Sequence, residues 1–325
     1  MSHRAEPAYR SSATSSCEQL GPLPHQVRTE DSILRARALY EEVFGADQEQ
    51  SIDATRERFE AMLDRFPIHP DVAIDEVNMG NVPGLRVTAP TASPRRILVW
   101  FHSGGYILGS ARGHRSLAAA LSAATGHTVL LPDYRRAPEH AFPAAVDDAA
   151  SALAAVLDGD LGPIEDVTVG GDSAGGALTL VSLIRRRDAG GTLPSHAVLV
   201  SPLLDLTGVA QSMVSNAELD PAVSRQGIRT IVAIYMRGTD REHPDATVLN
   251  ADLHDLPPTL VQVSSAEVLL DDSVRVADRL TDAGVTTHLH IYDDVPHAWP
   301  LFESFLPAGR DAVEEIAAFF AREPQ

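Results

Sequence analysis

The chain has 325 residues and carries 45 acidic against 26 basic side chains, a formal net charge of -19. With 44% hydrophobic and 22% charged residues it has the make-up of a globular protein, which excludes a disordered, collagenous or coiled-coil chain. The acidic balance argues against a nucleic-acid binder, because phosphate contacts draw on basic surface. The one cationic run, Arg185-Arg186-Arg187, falls at the end of a predicted helix, where it suits the macrodipole.

Residues 1–28 mix Ser, Pro, His and Glu without periodicity and are expected to form a loose tail. The single cysteine, Cys17, lies there and cannot form an internal disulfide. No basic-then-apolar leader opens the chain and no apolar run reaches the roughly 18 residues of a membrane span, so a soluble, cytoplasmic protein is expected. Two amphipathic helices follow over 29–70. Ile33, Ala36, Leu39, Tyr40 and Val43 form one stripe, and Phe59, Met62, Leu63 and Phe66 a second that stops at Pro67.

From residue 71 short β-branched runs alternate with helical patterns. Strands are predicted near 72–79, 84–89, 96–101, 127–132, 166–170, 196–201, 259–264 and 286–292, and helices near 113–124, 144–157, 174–187, 273–283 and 309–321. Ile97-Leu98-Val99-Trp100-Phe101 and Thr128-Val129-Leu130-Leu131 are apolar without alternation, as in parallel strands covered on both faces. The expected fold is α/β. Between the sixth and seventh strands, about 202–258, lies a stretch longer than a plain connection needs. It reads as an insertion holding one helical pattern at Ile228, Ile231, Val232 and Tyr235.

Gly171-Asp172-Ser173-Ala174-Gly175 matches G-x-S-x-G in the right context, after the strand Val167-Thr168-Val169 and at the start of a helix. A serine on such a turn projects its hydroxyl above the sheet, and the helix N-terminus favours negative charge nearby. A Gly-rich turn with a capping serine is the plainer reading; the context favours a nucleophile. His102-Ser103-Gly104-Gly105-Tyr106 directly follows the third strand. Its paired glycines let backbone N–H groups converge on one point, as a tetrahedral oxyanion requires, although an ordinary turn reads the same. His297 sits just past the last strand, downstream of both the elbow and a candidate acid. That is the order Ser…Asp/Glu…His. The candidate acid is Glu267, in the loop after the seventh strand. Asp271 is its rival, but Asp271 and Asp272 immediately precede a predicted helix, where capping would occupy them.

With those residues in view, the chain resembles bacterial members of the hormone-sensitive-lipase family of α/β hydrolases. Asp133-Tyr134-Arg135-Arg136-Ala137-Pro138-Glu139-His140, Phe142-Pro143-Ala144-Ala145 and Ser201-Pro202-Leu203-Leu204-Asp205-Leu206 extend the likeness, which runs over roughly 70–322. The resemblance implies an eight-stranded, mostly parallel α/β-hydrolase sheet over 71–325. It also implies a helical cap made by 29–70 and about 205–250. It implies Ser173 as nucleophile, Glu267 and His297 as its partners, the N–H groups of Gly104, Gly105 and Ala174 as the oxyanion hole, and His102 and Asp172 as motif support. Three positions depart from the family pattern. Ser103 stands where H-G-G-G has its first glycine, Arg136 where a leucine is common, and Glu267 where an aspartate is usual.

The implied activity is a serine carboxylesterase working through an acyl-enzyme on soluble short-to-medium acyl esters. Subgroups with an H-S-G-G turn resemble monoterpene lactone hydrolases, so a lactone or secondary-metabolite ester is the alternative substrate. A non-catalytic small-molecule receptor on the same fold is the alternative of another class, and the retained His297 speaks against it. No Walker loop or dinucleotide fingerprint occurs, and His288 and His290 read as exposed strand residues, so neither cofactor nor metal is expected. Asp147 and Asp148 read as structural helix residues. The expected partner is a small ester or lactone, with no nucleic acid or membrane, and homo-oligomerisation is left open.

Overall fold

The computed structural model describes residues 29–45 and 51–322; the expected tail over 1–28, with Cys17, lies outside the described residues. The two amphipathic stripes form α1 (Thr29–Phe44) and α2 (Ile52–Leu63). Ser51 caps α2, its hydroxyl accepting the Ala54 N–H at 3.3 Å, which satisfies one of the helix's free donors. The inner faces of both helices are buried, and Tyr40 of α1 and Phe66, just past the end of α2, pack edge-on against Phe302. Long aromatic contacts of this kind, rather than helix propensity, dock the two helices on the rest of the molecule.

The next elements in order are β1 (Ala73–Met79), β2 (Val82–Thr88), β3 (Ser93–Phe101), α3 (Arg115–Thr125), β4 (His127–Pro132), α4 (Ala144–Leu157), β5 (Asp166–Asp172), α5 (Ala174–Asp188) and β6 (His196–Val200). The insertion contributes the short α6 (Ser212–Ser215) and α7 (Arg225–Tyr235). Then come β7 (Thr259–Ser264), α8 (Leu270–Asp282), β8 (Thr287–Tyr292) and α9 (Pro307–Phe320). The eight strands make one sheet in the order β1-β2-β4-β3-β5-β6-β7-β8. β1 and β2 pair antiparallel, as do β2 and β4; every later pairing is parallel.

The strands that read as unbroken apolar runs are the most covered. β4, β6 and β7 are buried at every position, while β8, at the sheet edge, is largely exposed. α3 packs with α9, and α4 with α5, so helices flank the sheet. The chain reverses its direction of sheet growth around β3, and the crevice at such a switch point, beyond the carboxyl ends of parallel strands, is where α/β proteins bind ligands. The loops after β3, β5, β7 and β8 all emerge there.

One expected boundary shifts with consequences. The helix expected from 273 begins at Leu270, so Asp271 and Asp272 lie inside its first turn and neither caps it. Their carboxylates serve the distant insertion instead: Asp271 accepts the Ser212 N–H at 2.9 Å, and Asp272 accepts those of Leu204 and Asp205, each at 2.9 Å. The orphan donors of a buried loop need acceptors as much as a helix end does, and here the loop takes them. The arginine run at the end of α5 is likewise more than a dipole partner. Arg185 bridges Asp147 and Asp245, and Arg186 pairs with Asp158.

Candidate active site

β5 ends at Asp172 and α5 starts at Ala174, leaving Ser173 alone on the turn with φ 56 and ψ -118. A serine rarely adopts a positive φ, and such strain is held only where the surroundings over-determine it. Here they do, because the elbow packs directly on β3. A Cβ on Gly175 would lie 1.9 Å from the Phe101 carbonyl oxygen, so only glycine admits this approach. The hydroxyl of Ser173 is thereby lifted to a cavity of about 290 Å³ that Gly104, Gly105 and His297 also line. Among the described residues the Ser173 hydroxyl has no hydrogen bond, and Ser173 lines the cavity.

The turn after β3 takes its shape from Gly104, at φ +122, and Gly105, at φ +59. Among the described residues the N–H groups of Gly104, Gly105 and Ala174 donate to no internal acceptor, and helix-terminal and turn donors left free in this way can receive an anion. His102 frames the turn from behind. Its Nδ1 lies 2.8 Å from the Ser103 carbonyl oxygen, its ring stacks on Tyr134 at 4.1 Å, and the Tyr134 hydroxyl donates to the His102 carbonyl at 2.8 Å. Burial pushes the His102 pKa down to about 3. The ring is neutral and structural.

β7 and β8 supply the remaining pair. His297 Nδ1 lies 2.6 Å from Glu267 Oε2. The other carboxylate oxygen, Oε1, accepts from the Ser201 hydroxyl at 2.7 Å and the Ser264 N–H at 2.9 Å. Glu267 is therefore a buried carboxyl group with partners at both oxygens, which is what makes its burial tolerable. Burial alone lowers the His297 pKa, but the Glu267 charge and hydrogen bond, with the charges of Asp220 and Asp172, outweigh it and hold the imidazole above 6.5. The carboxylate beside His297 Nδ1 is that of Glu267, while the Asp271 carboxylate accepts the Ser212 N–H.

Some participants escaped sequence reasoning. Asp220, in the insertion, accepts the N–H groups of Ala222, Val223 and Val268 at 2.9–3.0 Å and places a second carboxylate charge near His297. Asp220-Pro221 reads locally as a turn former, and nothing in its spacing points to the histidine. From α1, the Tyr40 hydroxyl donates to the His297 carbonyl at 2.8 Å and Arg37 pairs with Asp294 at 2.6 Å. No group of three or more His, Cys, Asp or Glu residues suited to a metal ion occurs among the described residues. His290 instead faces Glu315 at 2.9 Å. No helix among the described residues is long and apolar enough to cross a membrane.

An elbow serine, a buried carboxylate–imidazole pair and a glycine turn at the carboxyl ends of a mostly parallel sheet together define an α/β hydrolase. A family model described as the alpha/beta hydrolase fold matches residues 98–301, and the chain belongs to that family. An acetyl-hydrolase of Streptomyces hygroscopicus is 38% identical over 251 residues, 74% of this chain and 84% of that protein. An esterase of Acinetobacter venetianus is 32% identical over 268 residues, 82% and 88% of the two chains. Among solved structures, an esterase from the bacterial hormone-sensitive lipase (HSL) family superposes with a TM-score of 0.85 at 36% identity, over 89% of this chain and 97% of that one. These likenesses set the chain in the hormone-sensitive-lipase branch of the family.

Proposed function

We propose that this serine carboxylic-ester hydrolase works through Ser173 as nucleophile, His297 as general base and Glu267 as the acid that orients it. Ser173 attacks the ester carbonyl while His297 Nε2 takes the hydroxyl proton. The negative oxygen rests on the N–H groups of Gly104, Gly105 and Ala174, and the proton passes to the departing alkoxide. Water then repeats the sequence on the acyl-enzyme and releases the acid. The observation that carries this reading is the 2.6 Å contact between His297 Nδ1 and Glu267 Oε2, which turns Nε2 into the base-bearing nitrogen of a ring lining the same cavity as Ser173.

The substrate follows from the cavity. Apart from His297, its described lining holds no side chain that titrates near neutral pH, and apolar side chains, those of α1, α2 and α7 among them, make up most of the rest. A volume of about 290 Å³ is at the small end of the roughly 300–1,000 Å³ usual for ligand pockets. Neutral esters of short-to-medium acyl chains suit such a site. The helices α1 and α2 and the insertion around α7 act as the cap that selects them. A series of p-nitrophenyl esters from acetyl to long acyl chains, read beside fluorophosphonate labelling, tests both halves. Rates should peak at short or medium length, with the label on Ser173. Fastest turnover on emulsified long-chain esters, or a label elsewhere, would overturn the reading.

A further inference from the structure

Ser103 occupies the place of the first glycine in the family turn, and its polar atoms converge on one partner. Its hydroxyl lies 3.1 Å, and its N–H nitrogen 3.3 Å, from Nε2 of His114. The same Nε2 lies 3.5 Å from Asp172 Oδ2, while Asp172 Oδ1 accepts the Trp100 indole N–H at 2.9 Å. Ser103, His114 and Asp172 are 4%, 0% and 1% exposed, and Asp172 Oδ2 has no hydrogen bond among the described residues. Because that Nε2 accepts the Ser103 N–H, the hydroxyl beside it donates to the same nitrogen, and both polar groups of Ser103 hang on one imidazole.

We propose that Ser103 is a positioning residue, whose hydroxyl, held by His114 beside the Asp172 carboxylate, ties the Gly104–Gly105 turn to the strand end that carries Ser173. This rests on the reading of Gly104, Gly105 and Ala174 as oxyanion donors. Those donors come from two different strands. The β3–β5 ladder ends at Phe101↔Gly171, so no sheet hydrogen bond holds the two loops in register beyond it. A glycine at 103 would leave that turn more conformational freedom, whereas a serine anchored on His114 removes it. The oxygen gains its negative charge in the transition state and the tetrahedral intermediate but not in the bound ester, so loosening its donors lowers kcat more than it raises KM.

The test compares Ser103→Ala, Ser103→Thr, His114→Asn and the Ser103→Ala/His114→Asn pair on p-nitrophenyl butyrate, with rates normalised to sites titrated by a fluorophosphonate. Ser103→Ala should lose about tenfold in kcat with KM within about twofold, and about tenfold in affinity for a trifluoromethyl ketone that forms the tetrahedral adduct. Threonine, which keeps the hydroxyl, should hold kcat within about threefold of the parent chain. The double variant should be no slower than the slower single one, as for two parts of one network. A Ser103→Ala chain with full kcat per titrated site, even at lowered Tm, would overturn the inference. So would a threonine variant as slow as the alanine one, and that comparison decides alone where His114→Asn does not fold. Full turnover by Ser173→Ala would remove the underlying reading instead, so the two failures are told apart.

Discussion

At the end of β7, Glu267 is 1% exposed and both of its carboxylate oxygens are engaged by named donors. Across the cavity, α7 meets the same space with Gly227, Thr230, Ile231 and Ile234, and none of these is tied to the residues after β5, β7 or β8 by a hydrogen bond among the described residues. The insertion also leaves Val209, Val214 and Leu219 exposed at 70%, 66% and 46%. The contrast reflects two kinds of force. A buried charge survives only in a complete set of directional bonds, so the sheet end is rigidly specified. Apolar contact is non-directional, so the face that α7 turns to the cavity can change its shape and still cover. On the proposed reading, chemistry is held by the sheet end and selectivity by the segments over the cavity.

The contrast breaks first, and by the largest factor, at the sheet end. Ser173→Ala should lower kcat by roughly 10⁴ or more, with circular dichroism and Tm unchanged, because the lost oxygen is chemical rather than structural. Glu267→Gln should cost at least about a hundredfold, as the imidazole loses the partner that fixes its tautomer. Asp271→Asn should instead keep kcat within a few-fold and lose about 1–2 kcal/mol of stability by denaturant titration, because it weakens the acceptor for the Ser212 N–H. The reverse ranking of Glu267 and Asp271 in kinetics would transfer the acid role.

A pH profile sharpens the same comparison. His297 must be neutral to act as base, and Glu267, Asp220 and Asp172 together favour its protonated form against the opposing effect of burial. Activity should therefore fall as pH drops through a value above 6.5, and a kcat/KM limb with its midpoint at or below 6.5 would show that these carboxylates do not hold the proton. Asp220→Asn removes one of the charges and should move the limb down.

The cover should respond more gently. Arg56, on α2, donates to the carbonyls of Ile107 and Ala137 and pairs with Glu139 through two contacts of 2.7 and 2.8 Å. Arg56→Ala should lower Tm by a few degrees and raise KM, with kcat for acetyl esters little changed. The smallest effect is expected at Ile231, whose Cδ1 lies 2.6 Å from where a Cβ on Gly105 would stand. Ile231→Ala should shift the preferred acyl length upward by a few-fold in kcat/KM, since one or two methylenes of pocket space are worth little more. A change in the acetyl rate as large as that of Glu267→Gln would erase the distinction between cover and sheet end.

Much of this was legible along the chain because the relevant signals are local. A strand, a small-residue turn and a helix at 166–188 locate Ser173 without any knowledge of contacts, and consecutive glycines after an apolar run locate the turn at 104–105. Chain order and their places just past the seventh and eighth strands nominated Glu267 and His297, which the fold brings to 2.6 Å across thirty residues of sequence. The misplaced role of Asp271 and Asp272 came from treating a carboxylate near a helix start as a cap. Local spacing cannot see that Ser212, Leu204 and Asp205 would arrive with unpaired N–H groups.

The sequence by itself thus determined the elements, their alternation and the residue types at each strand end, because helix and strand periods and turn chemistry are written in neighbours a few positions apart. Only the tertiary structure decided that Asp220 stands near His297, that Tyr40 holds the histidine's carbonyl, and that His114 joins Ser103 to Asp172. Each of those joins residues from separate elements. Their meeting depends on sheet order and helix packing, whose energy is summed over the whole core rather than carried by any local pattern.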